Sequence, residues 1–154
     1  MSSIALAHKN RLRTPIARLL HDAKVQPAQE PRNLIEDGPL NPDGSLAQPL
    51  GKVGGKVSVA QGQLAARLTA LVMLGSLRRA FGDLDRISAW SRVFGMVNSA
   101  PGFNQQPVVI NGFSELILEV FGPAIGSHAR SAVGLYELRF DMPVEIEGEV
   151  EFTS

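Results

Sequence analysis

The sequence predicts one α+β domain in which two helices pack on one face of a mixed β-sheet. Two segments, residues 58–81 and 106–121, carry apolar residues at helical spacing, and the segments that follow each of them alternate as strands do. The order along the chain is short strands, helix, strand, helix, strand, strand, which favours helices gathered on one side of a sheet. A chain of 154 residues is long enough for one such domain to bury a core of its own.

Residues 1–32 are predicted to form an N-terminal extension, and residues 33–154 the domain. The extension holds six Lys or Arg against two Asp or Glu, and Thr14-Pro15 has the pattern of a helix start, which suggests a short helix over residues 15–23. A targeting presequence can have this composition, but an ordinary N-terminal extension is the favoured interpretation. The remaining chain has nine basic and thirteen acidic residues, and this charge disfavours a nucleic-acid-binding surface on the domain.

Composition also argues against a disulfide framework, a metal site and a membrane span. The chain has no cysteine, and its three histidines, His8, His21 and His128, show no metal-ligand spacing. No apolar run reaches the length of about 18 residues that a membrane-spanning helix needs. We therefore expect a soluble, cytoplasmic protein without a structural metal.

The segment from residue 32 to 56 is rich in turn signals, and the first helix follows it. Asn41-Pro42-Asp43-Gly44 fits a type I turn, and short strands are predicted around it. The glycines of residues 51–56 lack the spacing of a phosphate-binding loop and are interpreted as an ordinary loop. Ser58 and Gln61 form a capping box, so the helix is predicted to begin there and to end at Gly82.

The strand predicted over residues 86–98 is apolar on both faces. Ile87, Ala89, Val93 and Val97 fall on one face, and Trp90, Phe94 and Met96 on the other. Helices on one side of a sheet cover only one face, which indicates that a partner subunit covers the second. The second helix is predicted from residue 106 or 107 to residue 121 and ends at Gly122; its buried residues are Val109, Phe113, Leu116, Ile117 and Val120.

Charged residues take unusual positions in the last two predicted strands, residues 128–137 and 144–152. Arg130 falls on the face of the first strand that also carries the small residues Ala132 and Gly134. In the second strand four carboxylates alternate with apolar residues or glycine: Glu145, Glu147, Glu149 and Glu151. One guanidinium and several carboxylates could thus share a sheet face. If a second subunit covers that face, some of these charges are buried and paired; if the face is open to water, the charges form only a solvated rim.

Arg130 is the best candidate for ligand binding. A guanidinium binds a carboxylate through two parallel hydrogen bonds, and Ala132 beside it leaves room for a ligand. On residue types alone, an ion pair with a glutamate across the sheet explains Arg130 equally well. At most one or two of the glutamates are expected to act as an oriented general base. Ser131 has no partner for a nucleophilic triad except His128, which is interpreted as a surface or loop histidine.

Two stretches carry a resemblance to a known family. Arg130-Ser131-Ala132-Val133, followed by Pro143-Val144-Glu145-Ile146-Glu147, resembles the RidA (YjgF) family of enamine/imine deaminases. The likeness runs from about residue 33 to residue 152. It is most specific over residues 54–77, 97–103, 108–112 and 128–147, and a less characterised branch of the family shares several of these features.

The resemblance implies a fold like that of the bacillary chorismate mutase, a homotrimer, and sites in the clefts between subunits. It also implies hydrolysis of 2-aminoacrylate- or 2-iminobutanoate-type enamines and imines to 2-keto acids and ammonia, without a metal or an organic cofactor. By this likeness Arg130 grips the carboxylate of a small substrate, and Glu145 orients or activates the attacking water. Asn111 and Ala132 match further positions at the site.

The sequence departs from the family at three places. Many of the family's deaminases carry a Cys at the position of Ala132, a Ser-Gly pair in the early strand, and a Tyr near the N-terminus; none of these is recognisable here. Two other functions therefore stay open. One is a non-enzymatic protein that binds small carboxylates, and the other is the endoribonuclease-type translation inhibitor with which the family is often associated.

Overall fold

The computed structural model describes residues 34–153, where two helices cover one face of a four-stranded mixed sheet. The elements are β1 (Leu34–Asp37), α1 (Val59–Phe81), β2 (Ile87–Asn98), α2 (Gln106–Gly126), β3 (Ala129–Leu135) and β4 (Val144–Phe152), with short 3-10 helices at Leu84–Arg86 and Arg139–Asp141. The strand order is β1-β4-β2-β3; β2 and β3 are parallel and the other pairs antiparallel. The predicted fold class is confirmed. The short helix suggested for residues 15–23 lies outside the described residues.

The helix ends lie where the local signals predict them. At the start of α1, the backbone N–H of Gln61 donates to Ser58 Oγ at 3.2 Å, and the Gln61 side chain accepts from the Ser58 N–H at 2.9 Å. Gly82, at φ 80°, ends α1. The helical conformation of α2 is broken at Gly122, at φ 71° and ψ 172°, just before Pro123. Its continuous part therefore ends at residue 121, as predicted.

Helix α2 is more apolar than helix α1. By length and composition alone it could cross a membrane, and half of its apolar stretch is buried inside the fold. Its predicted inward residues are all buried: Val109, Phe113, Leu116, Ile117 and Val120. These side chains pack with α1 and with the inner face of the sheet, and this packing fixes the position of α2 against β2 and β3.

Strand β2 differs from its prediction near its start. Trp90 was predicted to share a face with Phe94 and Met96, but it is only 2% exposed and packs edge-on against Phe113 of α2, with the ring centres 5.7 Å apart. The cause is irregular pairing with β4, because the register shifts between Ile87 and Ala89 and again between Trp90 and Arg92. The uncovered face of β2 therefore carries Phe94 as a partly exposed aromatic residue, without Trp90.

Candidate functional site

Arg130 lies on the helix-covered side of the edge strand β3 and reaches α2. In the parallel register it pairs with Val93, a fully buried residue of the inner sheet face. Its NH1 donates to Asn111 Oδ1 at 2.9 Å and to Ser114 Oγ at 3.2 Å. Residues three apart in a helix share a face, so α2 presents both acceptors to one guanidinium nitrogen.

The remaining edge of the Arg130 guanidinium is open. Both hydrogens of NH1 have acceptors, whereas Nε and NH2 have no hydrogen-bond or ion-pair partner within residues 34–153. The side chain is also exposed. A guanidinium whose orientation is held at NH1 and whose Nε and NH2 have no partner in the described residues is suited to bind a carboxylate with two parallel hydrogen bonds.

Ser114 also contacts His128, which was predicted to be a surface or loop histidine. His128 does lie in the turn between α2 and β3, but it is half-buried, and its ring lies near those of Trp90 and Phe113. Its Nε2 is 2.9 Å from Ser114 Oγ, and its Nδ1 is 2.7 Å from the carbonyl oxygen of Gly126. A carbonyl can only accept, so Nδ1 carries the proton and Nε2 accepts from the Ser114 hydroxyl.

Two effects keep the His128 ring neutral. Burial lowers its pKa, and the positive charge of Arg130 lowers it further, against the opposing effect of the hydrogen bond to Gly126. At neutral pH the ring is therefore a base, with its Nε2 lone pair directed at the Ser114 hydroxyl.

Glu145 lies on the opposite face of the sheet from Arg130. It pairs with Met96 of β2, and its side chain is 8% exposed. Its ion-pair partner is Arg139 Nε, and the same guanidinium reaches Glu36 of β1 at 3.5 Å. Burial raises the pKa of Glu145, Arg139 lowers it, and the nearby Glu36 raises it again.

The expectation that Arg130 shares a face with the glutamates is therefore wrong. Within residues 34–153, the guanidiniums that pair with glutamates of that outer face are those of Arg139 and Arg92, of which the second pairs with Glu149 at 3.5 Å. Within one chain the structure brings together Arg130 and Asn111 but leaves Glu145 apart from them. Ala132 lies on the same face as Arg130, half-buried and paired with Gly95.

The domain defined by this fold and arginine site matches a known family. Residues 42–137 match the family described as "YjgF/chorismate mutase-like, putative endoribonuclease". The chain belongs to the YjgF/chorismate mutase-like family, which confirms both the resemblance and the expected fold.

Three similar proteins extend this result. Protein TCP17 of Trypanosoma cruzi is 43% identical over 104 residues, which make up 68% of this chain and 65% of TCP17, so the chain spans less than two thirds of that relative. Atu1372 of Agrobacterium tumefaciens, a protein of unknown function, is 34% identical, with a TM-score of 0.79 over 96% of this chain and 99% of its own. A Shewanella oneidensis protein described as a "putative endoribonuclease" is 26% identical, with a TM-score of 0.77 over 94% of this chain and 99% of its own.

Proposed function

We propose that this protein hydrolyses small 2-imino acids and their enamine tautomers to 2-keto acids and ammonia. The observation that carries this proposal is the Arg130 guanidinium, which α2 holds at NH1 and which leaves Nε and NH2 free within the described residues. Family membership supports a small-molecule site of this kind. The substrate class is the simplest one that has both a carboxylate for Arg130 and an electrophilic carbon bonded directly to it.

Arg130 contributes by holding the substrate in place. Each charge-assisted hydrogen bond to a carboxylate is worth roughly 1.5 to 3 kcal/mol, and the fixed guanidinium loses little further rotational freedom on binding. An imine carbon already accepts a water molecule readily. A held carboxylate, a positioned water and a carrier for one proton are therefore the main requirements, and the reaction needs neither a metal nor an organic cofactor.

The position of Glu145 favours a site between copies of the chain. Because Glu145 and Arg130 occupy opposite faces of one sheet, we propose that the Glu145 that orients the attacking water comes from a neighbouring copy in a homotrimer. The outer sheet face supports such an assembly, since Phe94 and Met96 lie there without a covering helix. The raised pKa of Glu145 also suits a group that exchanges protons nearer neutral pH.

A second candidate is a protein that binds small carboxylates without turning them over. Ala132 favours this alternative, because it stands where many deaminases of the family carry a Cys. Ribonuclease activity is a third candidate, by analogy with the Shewanella protein. The acidic charge balance of residues 33–154 opposes it, and RNA cleavage by a fragment lacking residues 1–32 would revive it.

The test compares wild type with Arg130→Lys, using freshly generated 2-iminobutanoate for turnover and 2-ketobutanoate for binding by calorimetry. Lysine keeps the charge but loses the planar fork, so affinity should fall roughly 10- to 150-fold, equivalent to one charge-assisted bond. The melting temperature should not change. Arg78→Lys is the matched control, because Arg78 is also an exposed arginine but lies in the last turn of α1, away from both sheet faces.

Three results decide between the alternatives. A wild-type rate above buffer that Arg130→Lys abolishes supports the deaminase. Binding of 2-ketobutanoate together with a wild-type rate equal to that of buffer leaves only the carboxylate-binding protein. An Arg130→Lys variant that binds like wild type refutes the arginine site itself.

A further inference from the structure

Helix α1 carries a second apolar row on the side that faces away from the core. The row that faces the core is buried and comprises Ala66, Ala70, Met73 and Leu77. The second row, called the outer leucine row below, comprises Leu64, Leu68 and Leu71. Each of these leucines comes two residues before a member of the core row. Two residues turn a helix by about 200°, so the two rows lie on opposite sides of α1.

The outer leucine row is uncovered within residues 34–153. Leu64 is 62% exposed, and Leu68 and Leu71 are half-buried. The loop before α1 borders the row, where Ala47 and Pro49 line an apolar groove together with Leu64 and Leu68. The homotrimer proposed above uses the outer face of the sheet, on the far side from α1, and so leaves this row open. Apolar side chains gathered in this way favour a covering partner over water.

Residues 15–23 of the same chain carry an apolar row that matches the outer leucine row in length. The predicted helix has apolar residues at the i, i+3, i+4, i+7 positions of one face, namely Ile16, Leu19, Leu20 and Ala23. The polar residues Arg18, His21 and Asp22 fall on the opposite face. Each row extends over seven residue steps, 16 to 23 and 64 to 71, which is about 10 Å along a helix.

The connection to the domain is long enough for this contact. Residues 24–33 separate the predicted helix from Leu34, where β1 begins. This stretch can span up to roughly 35 Å, which is about the full length of α1. Strand β1 packs against α1, so the connection starts beside the helix that it has to reach.

The likeness to Atu1372 extends over most of this segment. It covers 96% of this chain, and the part left uncovered is far shorter than the 33 residues that precede Leu34. Most of the residues before β1 therefore have counterparts in the solved structure of a relative that is 34% identical. This coverage favours a segment that belongs to the domain.

A second copy of the chain is a less suitable partner for the outer leucine row. A stable interface between two proteins buries roughly 800 Å² on each of them, which is more than three leucines and one groove wall offer. A segment tethered to the domain has an effective concentration in roughly the millimolar range, so a small contact is enough to hold it.

We propose that residues 15–23 form a helix whose apolar row packs on the outer leucine row of α1. The sheet, the two described helices and this segment then form three successive layers. The N-terminal segment is thus part of the domain, and it covers the groove beside Pro49. This inference does not depend on the proposed function, because it uses no residue of the Arg130 site.

The test measures hydrogen exchange of the backbone amides of residues 16–23 in the full-length protein by mass spectrometry. These amides should be protected in wild type, and the double variant Leu64→Ala/Leu68→Ala should exchange them at least about tenfold faster. Leu118→Ala is the matched control. Leu118 is an exposed leucine of α2, four residues after Ser114 and therefore on the side that faces β3, so its loss should leave the exchange unchanged.

Thermal melts give a second, independent readout. Without a cover Leu64 would be more exposed than Leu118, 62% against 39%, and its truncation would cost less stability. With residues 15–23 packed on it, Leu64→Ala should lower the melting temperature by at least about 4 °C and by more than Leu118→Ala does. Leu20→Ala should have a similar effect, whereas Arg18→Ala on the polar face should have almost none. If the double variant does not fold, these single variants decide.

Three results would overturn the proposal. Exchange of residues 16–23 in wild type as fast as in a free peptide shows that the segment does not pack. Protection that survives in Leu64→Ala/Leu68→Ala shows that the segment packs elsewhere. A smaller sedimenting species for that double variant, with unchanged exchange of residues 16–23, assigns the outer leucine row to a second copy of the chain.

Discussion

The Gly112→Ala variant tests whether the crossing of the two helices fixes the arginine site. A Cβ added at Gly112 would lie 2.1 Å from the carbonyl oxygen of Gln63 in α1 and 2.8 Å from its carbonyl carbon. Both atoms are backbone, so no side-chain rotation can relieve the contact. The two helices would have to separate by about 1 Å to restore an ordinary van der Waals distance.

The size of the effect follows from two opposing terms. Replacing glycine by alanine inside a helix normally stabilises a protein by about 0.5 to 1 kcal/mol, whereas overpacking a core costs about 1 to 3 kcal/mol or more. A backbone clash this close belongs at the upper end of that cost, so after the helix gain is subtracted Gly112→Ala should destabilise the domain by about 2 kcal/mol or more. Gly75→Ala is the matched control: Gly75 is also buried within a helix, but its nearest atom would be Arg79 NH1 at 3.5 Å. That variant should gain stability.

Urea denaturation followed by tryptophan fluorescence measures both variants, because Trp90 is the single tryptophan and packs in the core next to Phe113. All samples must have the same protein concentration, since an oligomer's stability depends on it. Gly112→Ala should also weaken 2-ketobutanoate binding, because Asn111 and Ser114 flank the displaced position and hold Arg130. A Gly112→Ala protein as stable as Gly75→Ala would refute the reasoning.

Two further predictions concern Asp37 and Glu145, the carboxylates whose pKa is raised by burial. Burial raises the pKa of Asp37 from 3.8 to about 6, so the folded protein holds a proton there that the unfolded chain has already lost. The free energy of unfolding of the wild type should therefore fall as pH rises from about 4 to about 6. Asp37→Asn should remove that fall and be more stable than wild type above pH 6, by at most ~3 kcal/mol in urea titrations. Equal pH dependence in both proteins would contradict this. Arg139→Met should lower the free energy of unfolding by about 1 to 3 kcal/mol at pH 7, because it leaves Glu145 buried without its cation. Adding Glu145→Gln to this variant should restore most of the lost stability in thermal melts. No rescue by the double variant would show that Arg139 acts through other contacts.

The parts of the fold that were predictable depend on neighbours in sequence. The capping box at Ser58 and the glycines at residues 82 and 122 mark helix ends, because each acts on backbone groups within one helical turn of itself. Trp90 was wrongly grouped with Phe94 and Met96 because strict alternation assumes a regular strand. The register shifts that turn its ring inward arise from pairing with β4, about 60 residues later in the chain. The residues next to Trp90 in the sequence do not predict these shifts.

The candidate site also has a part that the sequence predicts and a part that depends on the fold. That Asn111 and Ser114 share a helix face follows from their spacing, and the signal was available. That His128 completes the contact could not be foreseen, because it depends on how the turn after α2 directs the ring toward the Gly126 carbonyl. Arg130 and Asn111 could therefore be identified from the sequence, whereas His128 could not.

The separation of Arg130 from Glu145 shows what information the sequence lacked. Alternation gives the two faces of each strand but does not say which face of one strand coincides with which face of the next. That link is the register: Arg130 pairs with Val93 and Glu145 with Met96, and these two residues of β2 are three apart. An odd separation in a regular stretch of strand puts the two positions on opposite faces. Arg130 and Glu145 of one chain must then point away from each other, and a reaction that uses both requires a second copy.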